Sequence, residues 1–276
     1  MPKSTPEPIQ PRKQSVVGVG ISMTSYSEVA QVCAGWIEER RAATAGSLRH
    51  ARYICVTSVH GIVSAFLDRS LRPVLNAADI ATPDGMPVVW ALRSFGARAQ
   101  QRVYGPDLML TLLEQAGTRG HRVFLYGGRE ETLPVLCERL EARIPGLQIV
   151  GAYSPPFRPL TPEEDARVVQ RILDSGADLL FVGLSTPKQD RWMLDHRLKL
   201  PGLVMAGVGA AFDFHAGRVS QAPPWMQRTG LEWLFRLKEE PTRLWKRYLL
   251  VTPLFLPLWG LQLLGLLKYG EEPVLS

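Results

Sequence analysis

Little in this sequence favours metal or disulfide chemistry. Its three cysteines, Cys33, Cys55 and Cys137, are odd in number and show no CxxC spacing. That argues against a disulfide framework or a zinc ribbon, and for buried thiols in a reducing compartment. The five histidines are scattered and no HExxH occurs, so no metal site built from protein ligands is expected. "GVGIS" near the start is not continued into GxGxxG, and no acid follows at the right distance, so a dinucleotide fingerprint is missing and no cofactor is expected. No apolar run opens the chain. "MPKSTPEPIQPRKQ" is rich in proline and charge, and residues 1–14 read as a disordered leader, not a signal peptide. No internal repeat of fixed period is found.

What is present is an alternation. Short β-branched or apolar runs at "SVVGVGIS", "RYICVTS", "ADIAT", "RVFLYGG", "LQIVGAY", "ADLLFVGLS" and "GLVMAGVG" are separated by amphipathic helical stretches. Ser25 with Glu28, and Thr161 with Glu164, have the spacing of capping boxes that open helices. "GPDLMLTLLEQAGTRG" has proline at the first helical position and glycine at the end. Such crossovers predict an α/β fold, a doubly wound, Rossmann-like parallel sheet over about residues 15–219. Ligands of such sheets bind at the carboxyl ends of the strands.

The residues just past those ends are small or polar. They include Thr57, Ser58 and His60, then Asp84 and Gly85, Tyr126, Gly127 and Gly128, and Gly183, Lys188 and Gln189. Bare backbone and helix N-termini can approach a phosphate there. Asp84 before Gly85 is either a turn former or a carboxylate held at the rim to accept a proton. In "STPKQDRW", Lys188 and Gln189 are expected to project from a first helical turn toward the rim, lysine toward phosphate and glutamine toward a sugar or base.

The character changes after about residue 220. Residues 220–248 interleave Arg228, Arg236, Lys238, Arg243, Lys246 and Arg247 with tryptophan, phenylalanine and tyrosine. Arg236 and Arg243, seven apart, are expected near one helical face, able to hold a diphosphate. Residues 249–267 carry no charge but are interrupted by two prolines and two glycines. An apolar run after arginine and tryptophan suggests a segment at a membrane interface. Three placements fit it: a single span, an interfacial segment, or a face packed on another copy in a homo-oligomer. Nucleic acid would not need the apolar run, so it is not an expected partner.

Taken in series, "TPDGMPVVW", "RVYGPDLM", "FLYGG", "FVGLSTPKQDRW", "GVGAAFDFHAG" and "APPWMQRTGLEWLFRLKEEPTRLWKRY" resemble the WecG/TagA/CpsF glycosyltransferases, in the family's order, over roughly residues 52–248. The resemblance implies an inverting, metal-independent transfer of a sugar (ManNAc, its uronic acid or glucose) from a UDP-sugar. The acceptor is a sugar on a polyprenyl diphosphate at the cytoplasmic leaflet, and the products enter cell-surface polysaccharide. It implies Asp84 as general base, with Thr57 and Gln189 in the catalytic group. It implies Arg236, Arg243 and the position of Lys246 as the grip on the donor diphosphate; with them, Ser58, Arg102, Tyr126, Gly127, Gly128, Gly183, Lys188 and Arg247 make up the expected donor- and substrate-binding set. Lys246 stands where the family carries arginine, with Arg247 beside it. The apolar tail, residues 249–276, is longer than in members that end near Tyr248. Two other classes stay open on the residues alone: another nucleotide-binding enzyme of Rossmann type, and a non-catalytic membrane-associated scaffold.

Overall fold

The computed structural model describes residues 10–44, 47–48 and 50–269. Residues 1–9 of the expected leader and 270–276 of the tail lie outside them, and the leader's last two residues, Lys13 and Gln14, already belong to a strand. Eight strands are present among the described residues: β1 (Lys13–Val16), β2 (Val19–Ser22), β3 (Arg52–Thr57), β4 (Ile80–Pro83), β5 (Arg122–Gly127), β6 (Gln148–Tyr153), β7 (Leu179–Gly183) and β8 (Val204–Gly207). The last six form one parallel sheet in the order β4-β3-β8-β7-β5-β6.

Side chains alternate across that sheet as a period of two requires. Tyr53, Cys55, Phe124, Tyr126, Leu180, Val182 and Met205 face one buried layer. Ile54, Val123, Leu125, Leu179, Phe181, Val204 and Ala206 face the other. Both layers are covered by helices, so the strands read as continuous apolar runs rather than half-polar ones. Both expected capping boxes form, at Ser25–Glu28 and Thr161–Glu164. The helix Gly105–Arg119 ends at Gly120 in the left-handed conformation.

One expected strand is two. "SVVGVGIS" folds into the antiparallel hairpin β1–β2, separate from the main sheet. Val17 (φ 50°) and Gly18 (φ 82°) make its turn, both left-handed, as a two-residue hairpin of this twist demands. That region strains a β-branched residue, and Val17 is held there from outside: its amide donates to Gln262 Oε1 at 2.7 Å. The hairpin joins the edge of the sheet where the Ala81 amide donates to Ser22 Oγ at 3.0 Å.

Gln262 belongs to the apolar tail, which folds back on the protein. Residues 246–254 are irregular helical turns, followed by the helix Phe255–Leu263. Phe255 is buried in the core, Trp259 Nε1 donates to Ser94 Oγ at 3.1 Å, and Gln262 Nε2 donates to Ser15 O at 2.9 Å. These three share one helical face. Leu256 and Leu263, with Leu264 beyond the helix end, are exposed. No helix among the described residues is long and apolar enough to cross a membrane; of the three placements for 249–267, the single span is the one this helix does not form, because prolines break the run and Phe255 is buried in the core.

Candidate active site

The sheet order fixes where ligands can enter. From β5 the chain leaves toward β6, and from β7 it leaves the opposite way toward β8. Adjacent strands whose connections diverge open a crevice at their carboxyl ends. Gly127 and Gly183 are paired there. Gly127 has φ 113°, and a Cβ on it would lie 2.7 Å from the Gly183 backbone, so only glycine leaves this crevice bare. A cavity of about 1180 Å³ opens above it, lined by Tyr126, Gly128, Gly183, Ser185, Lys188 and Arg243 among others. The Tyr126 ring packs on Trp192 at 4.5 Å between centroids.

A second, smaller cleft of about 100 Å³ lies past β3 and β4. Asp84 stands on it. Its amide donates to Thr57 O at 3.0 Å, which ties the two strand ends together. Gly85, at φ 92°, then turns the chain into the helix Met86–Ser94, a conformation that only glycine adopts cheaply. Asp84 Oδ1 accepts from Arg102 Nε at 3.1 Å and Nη2 at 3.0 Å. Arg102 also pairs with Glu232 Oε2 at 2.7 Å, and its guanidinium lies 4.1 Å from the Tyr104 ring centroid. Burial alone would push Arg102 down; Asp84 and Glu232 outweigh it and hold the cation well above its usual range.

Two more guanidiniums reach this cleft. Arg236, on the helix Glu232–Glu239, lies over the Phe214 ring at 5.4 Å, and Glu240 is 4.0 Å away. Arg247 donates from Nη2 to Ser58 Oγ at 3.4 Å. Ser58 stands at the N-cap of the helix Val59–Leu67 but makes no side-chain cap bond, which leaves its hydroxyl for the cleft. Arg247 has no carboxylate within ion-pair distance among the described residues, and burial holds its cation below the ordinary range. The Nε atoms of Arg236 and Arg247 are buried without a partner. Arg236 has Glu240 at the limit of ion-pair distance; Arg247 has no such acid among the described residues, and a buried cation in that state is costly unless an anion arrives. His60 lines the same cleft, held down to about 4 by burial and by Arg247, so it faces the cleft as a neutral imidazole near neutral pH.

The expected residues thus divide. Asp84, Ser58, Arg102, Arg236 and Arg247 meet at the small cleft. Tyr126, Gly128, Gly183, Lys188 and Arg243 line the large cavity, with Gly127 beneath it. Arg236 and Arg243 do not share a face: Pro241 starts a new helix, Pro241–Trp245, after a break at Glu240, as a proline inside a helical stretch dictates. Arg243 pairs with Glu240, which therefore sits between the two arginines. Lys246 is exposed, its Nζ over the Trp245 ring at 5.6 Å, and lines neither cleft; Arg247 takes the inward direction.

Lys188 and Gln189 also part company, because consecutive helical residues point about a third of a turn apart. Gln189 is buried under the end of β8, against Gly207 and Gly209, with Oε1 unpartnered. Thr57 is buried too, its hydroxyl donating to Cys55 O at 3.3 Å. Both lie beneath the rim rather than on it. Glu232 is a site residue that composition does not mark: it is one of three acids in the basic-aromatic segment, with Glu239 and Glu240, and its place four residues before Arg236 is the signal that sets it apart.

The Glycosyl transferase WecG/TagA/CpsF family model matches residues 14–268. The chain is similar to the N-acetylglucosaminyldiphosphoundecaprenol N-acetyl-beta-D-mannosaminyltransferase of Bacillus subtilis, 33% identical over 186 residues, 67% of this chain and 70% of that protein. It is also similar to the protein of the same name from Bacillus spizizenii, 35% identical over 176 residues, 64% of this chain and 66% of the relative.

Proposed function

The chain belongs to the WecG/TagA/CpsF family of glycosyl transferases, and from that premise we propose that it moves a sugar from a UDP-sugar to a sugar carried on a polyprenyl diphosphate. The names of the two relatives favour N-acetylmannosamine as the sugar and N-acetylglucosaminyl-diphosphoundecaprenol as the acceptor; the mannosaminuronic acid and glucose donors are the next to test. The observation that carries the reading is the small cleft: Asp84 and Glu232, both bound to Arg102, share it with Arg236 and Arg247, whose buried Nε atoms have no partner.

The mechanism is a single displacement with inversion. Asp84 takes the proton of the acceptor hydroxyl as that oxygen attacks the anomeric carbon. The bond from that carbon to the UDP oxygen breaks, and the leaving diphosphate gathers charge. Arg236 and Arg247 meet that charge, in a site where water screens little. The nucleoside lies along the bare backbone of Gly127 and Gly128, with Lys188 and Arg243 beside it. Thr57 and Gln189 support the floor, Thr57 through its carbonyl on the Asp84 amide.

The lipid acceptor stays in the bilayer, so the enzyme must come to the surface. We place it peripherally at the cytoplasmic leaflet, with residues 220–248 as an appendage that completes the site and the outward leucines of the tail in the headgroup region. Arg and Lys of the appendage add attraction to anionic lipid. Replacing Leu256, Leu263 and Leu264 together with serine leaves the docked inner face intact and is expected to lower cosedimentation with anionic vesicles several-fold; unchanged binding would move the membrane contact elsewhere.

The test of the activity is a panel of UDP-sugars offered with a short-chain prenyl-diphosphate N-acetylglucosamine. One donor class should give UDP release matched by glycosylated acceptor. Release by no donor in the panel, with the protein folded and vesicles present, would overturn the reading.

A further inference from the structure

The Arg102 guanidinium is shared by two acids from distant parts of the chain. Asp84 comes from the end of β4, and Glu232 is the first residue of the helix Glu232–Glu239. The Arg102 and Glu232 side chains are each 14% exposed, so the pair is not a solvated surface bridge of negligible worth. Breaking it would strand a largely desolvated charge. One helical turn after Glu232 comes Arg236, on the same face of the same helix, and Arg236 lines the cleft.

We propose that Glu232 is a positioning residue: through Arg102 it fastens the helix that bears Arg236 to the strand end that bears Asp84. This rests on the reading of the small cleft as the diphosphate site. The base and one of the cations that receive the leaving group then form a single unit, in register only while the appendage is docked. The charges agree with that role. Without Glu232, Asp84 would be the sole acid on Arg102, and Glu240, 4.0 Å from Arg236 and shared with Arg243, would be the other acid near the three guanidiniums. With it, Arg102 is neutralised from both sides, and Arg236 and Arg247 are left to attract the diphosphate. His60, the remaining titratable group on this cleft's helix Val59–Leu67, is neutral near pH 7 and does not compete for the pair.

The test is a double-mutant cycle on the full chain, read by UDP titration and by transfer rate. Glu232→Gln keeps the volume and removes the charge. It should weaken UDP binding about tenfold in the wild-type background and less than twofold when Arg236 is already alanine, because coupled residues are not additive. Glu232→Asp, which keeps the charge, should stay within about threefold of wild type. A thermal melt of each variant separates a folding defect from a lost latch. If the Glu232→Gln loss is the same in both backgrounds, or if Glu232→Gln binds and transfers as wild type does, the latch is refuted. If wild type itself binds no UDP, the diphosphate reading fails first and takes this proposal with it.

Discussion

The two clefts at the carboxyl edge of the sheet are made of different material. The one past β5 and β7 is large, and its floor is bare backbone, because Gly127 and Gly183 cannot carry side chains. The one past β3 and β4 is about a tenth that size and is made of charge: Asp84, Arg102, Glu232, Arg236 and Arg247. A bare floor accepts a shape; a ring of fixed charges selects a reaction. The appendage serves both, since Pro241 splits it so that Arg236 faces the small cleft and Arg243 the large one. On the proposed function, the chemistry belongs to the small cleft and the nucleoside to the large.

That division can be broken at several points. The largest expected effect is at Asp84. Asp84→Asn should lower turnover about a thousandfold or more, within the range of general-base losses, well beyond the roughly tenfold loss of UDP affinity expected from loosening its link to Arg102. Near-normal turnover would remove it as the base. Next is the cation pair: Arg236→Ala with Arg247→Ala should weaken UDP binding on the order of a hundredfold, whereas Arg243→Ala alone should cost only a few-fold. If Arg243 proved the more costly, the diphosphate would belong in the large cavity.

The smallest effect is a matter of pH. Folding holds His60 at about 4, below its ordinary 6.5, so between those values the unfolded chain binds more protons. Its contribution to stability is complete above about pH 6.5 and is lost as the pH falls through 4. His60→Asn should therefore flatten the acid side of the stability curve relative to wild type in chemical denaturation. Parallel curves would show that His60 does not titrate between the two states.

Much of the frame was legible in the chain because its causes are local. Capping boxes at Ser25 and Thr161, the glycine stop at Gly120 and the apolar runs of β3, β5, β7 and β8 each follow from a few adjacent residues. Long-range choices were not legible. The hairpin β1–β2 depends on Gln262, far along the chain, to hold Val17 in a conformation that valine resists. Glu232 has meaning only once Arg102 is beside it. Local readings also failed where geometry overrode composition: Gln189 turns inward while Lys188 turns out, and Pro241 separates arginines that a continuous helix would have aligned. The apolar tail reads as a membrane-interface segment, and one face of its helix is taken by the protein, with Phe255 in the core and Leu256, Leu263 and Leu264 exposed. Composition reports how apolar a helix is, not which face the protein has already covered.

Whether the reaction takes place in the small cleft is decided by a crystal structure of the Asp84→Asn variant with an intact UDP-sugar bound. The diphosphate is expected against Arg236 and Arg247, the anomeric carbon facing the substituted side chain, and the nucleoside along Gly127 and Gly128. A diphosphate held by Lys188 and Arg243 in the large cavity, with the sugar turned away from β4, would contradict this placement.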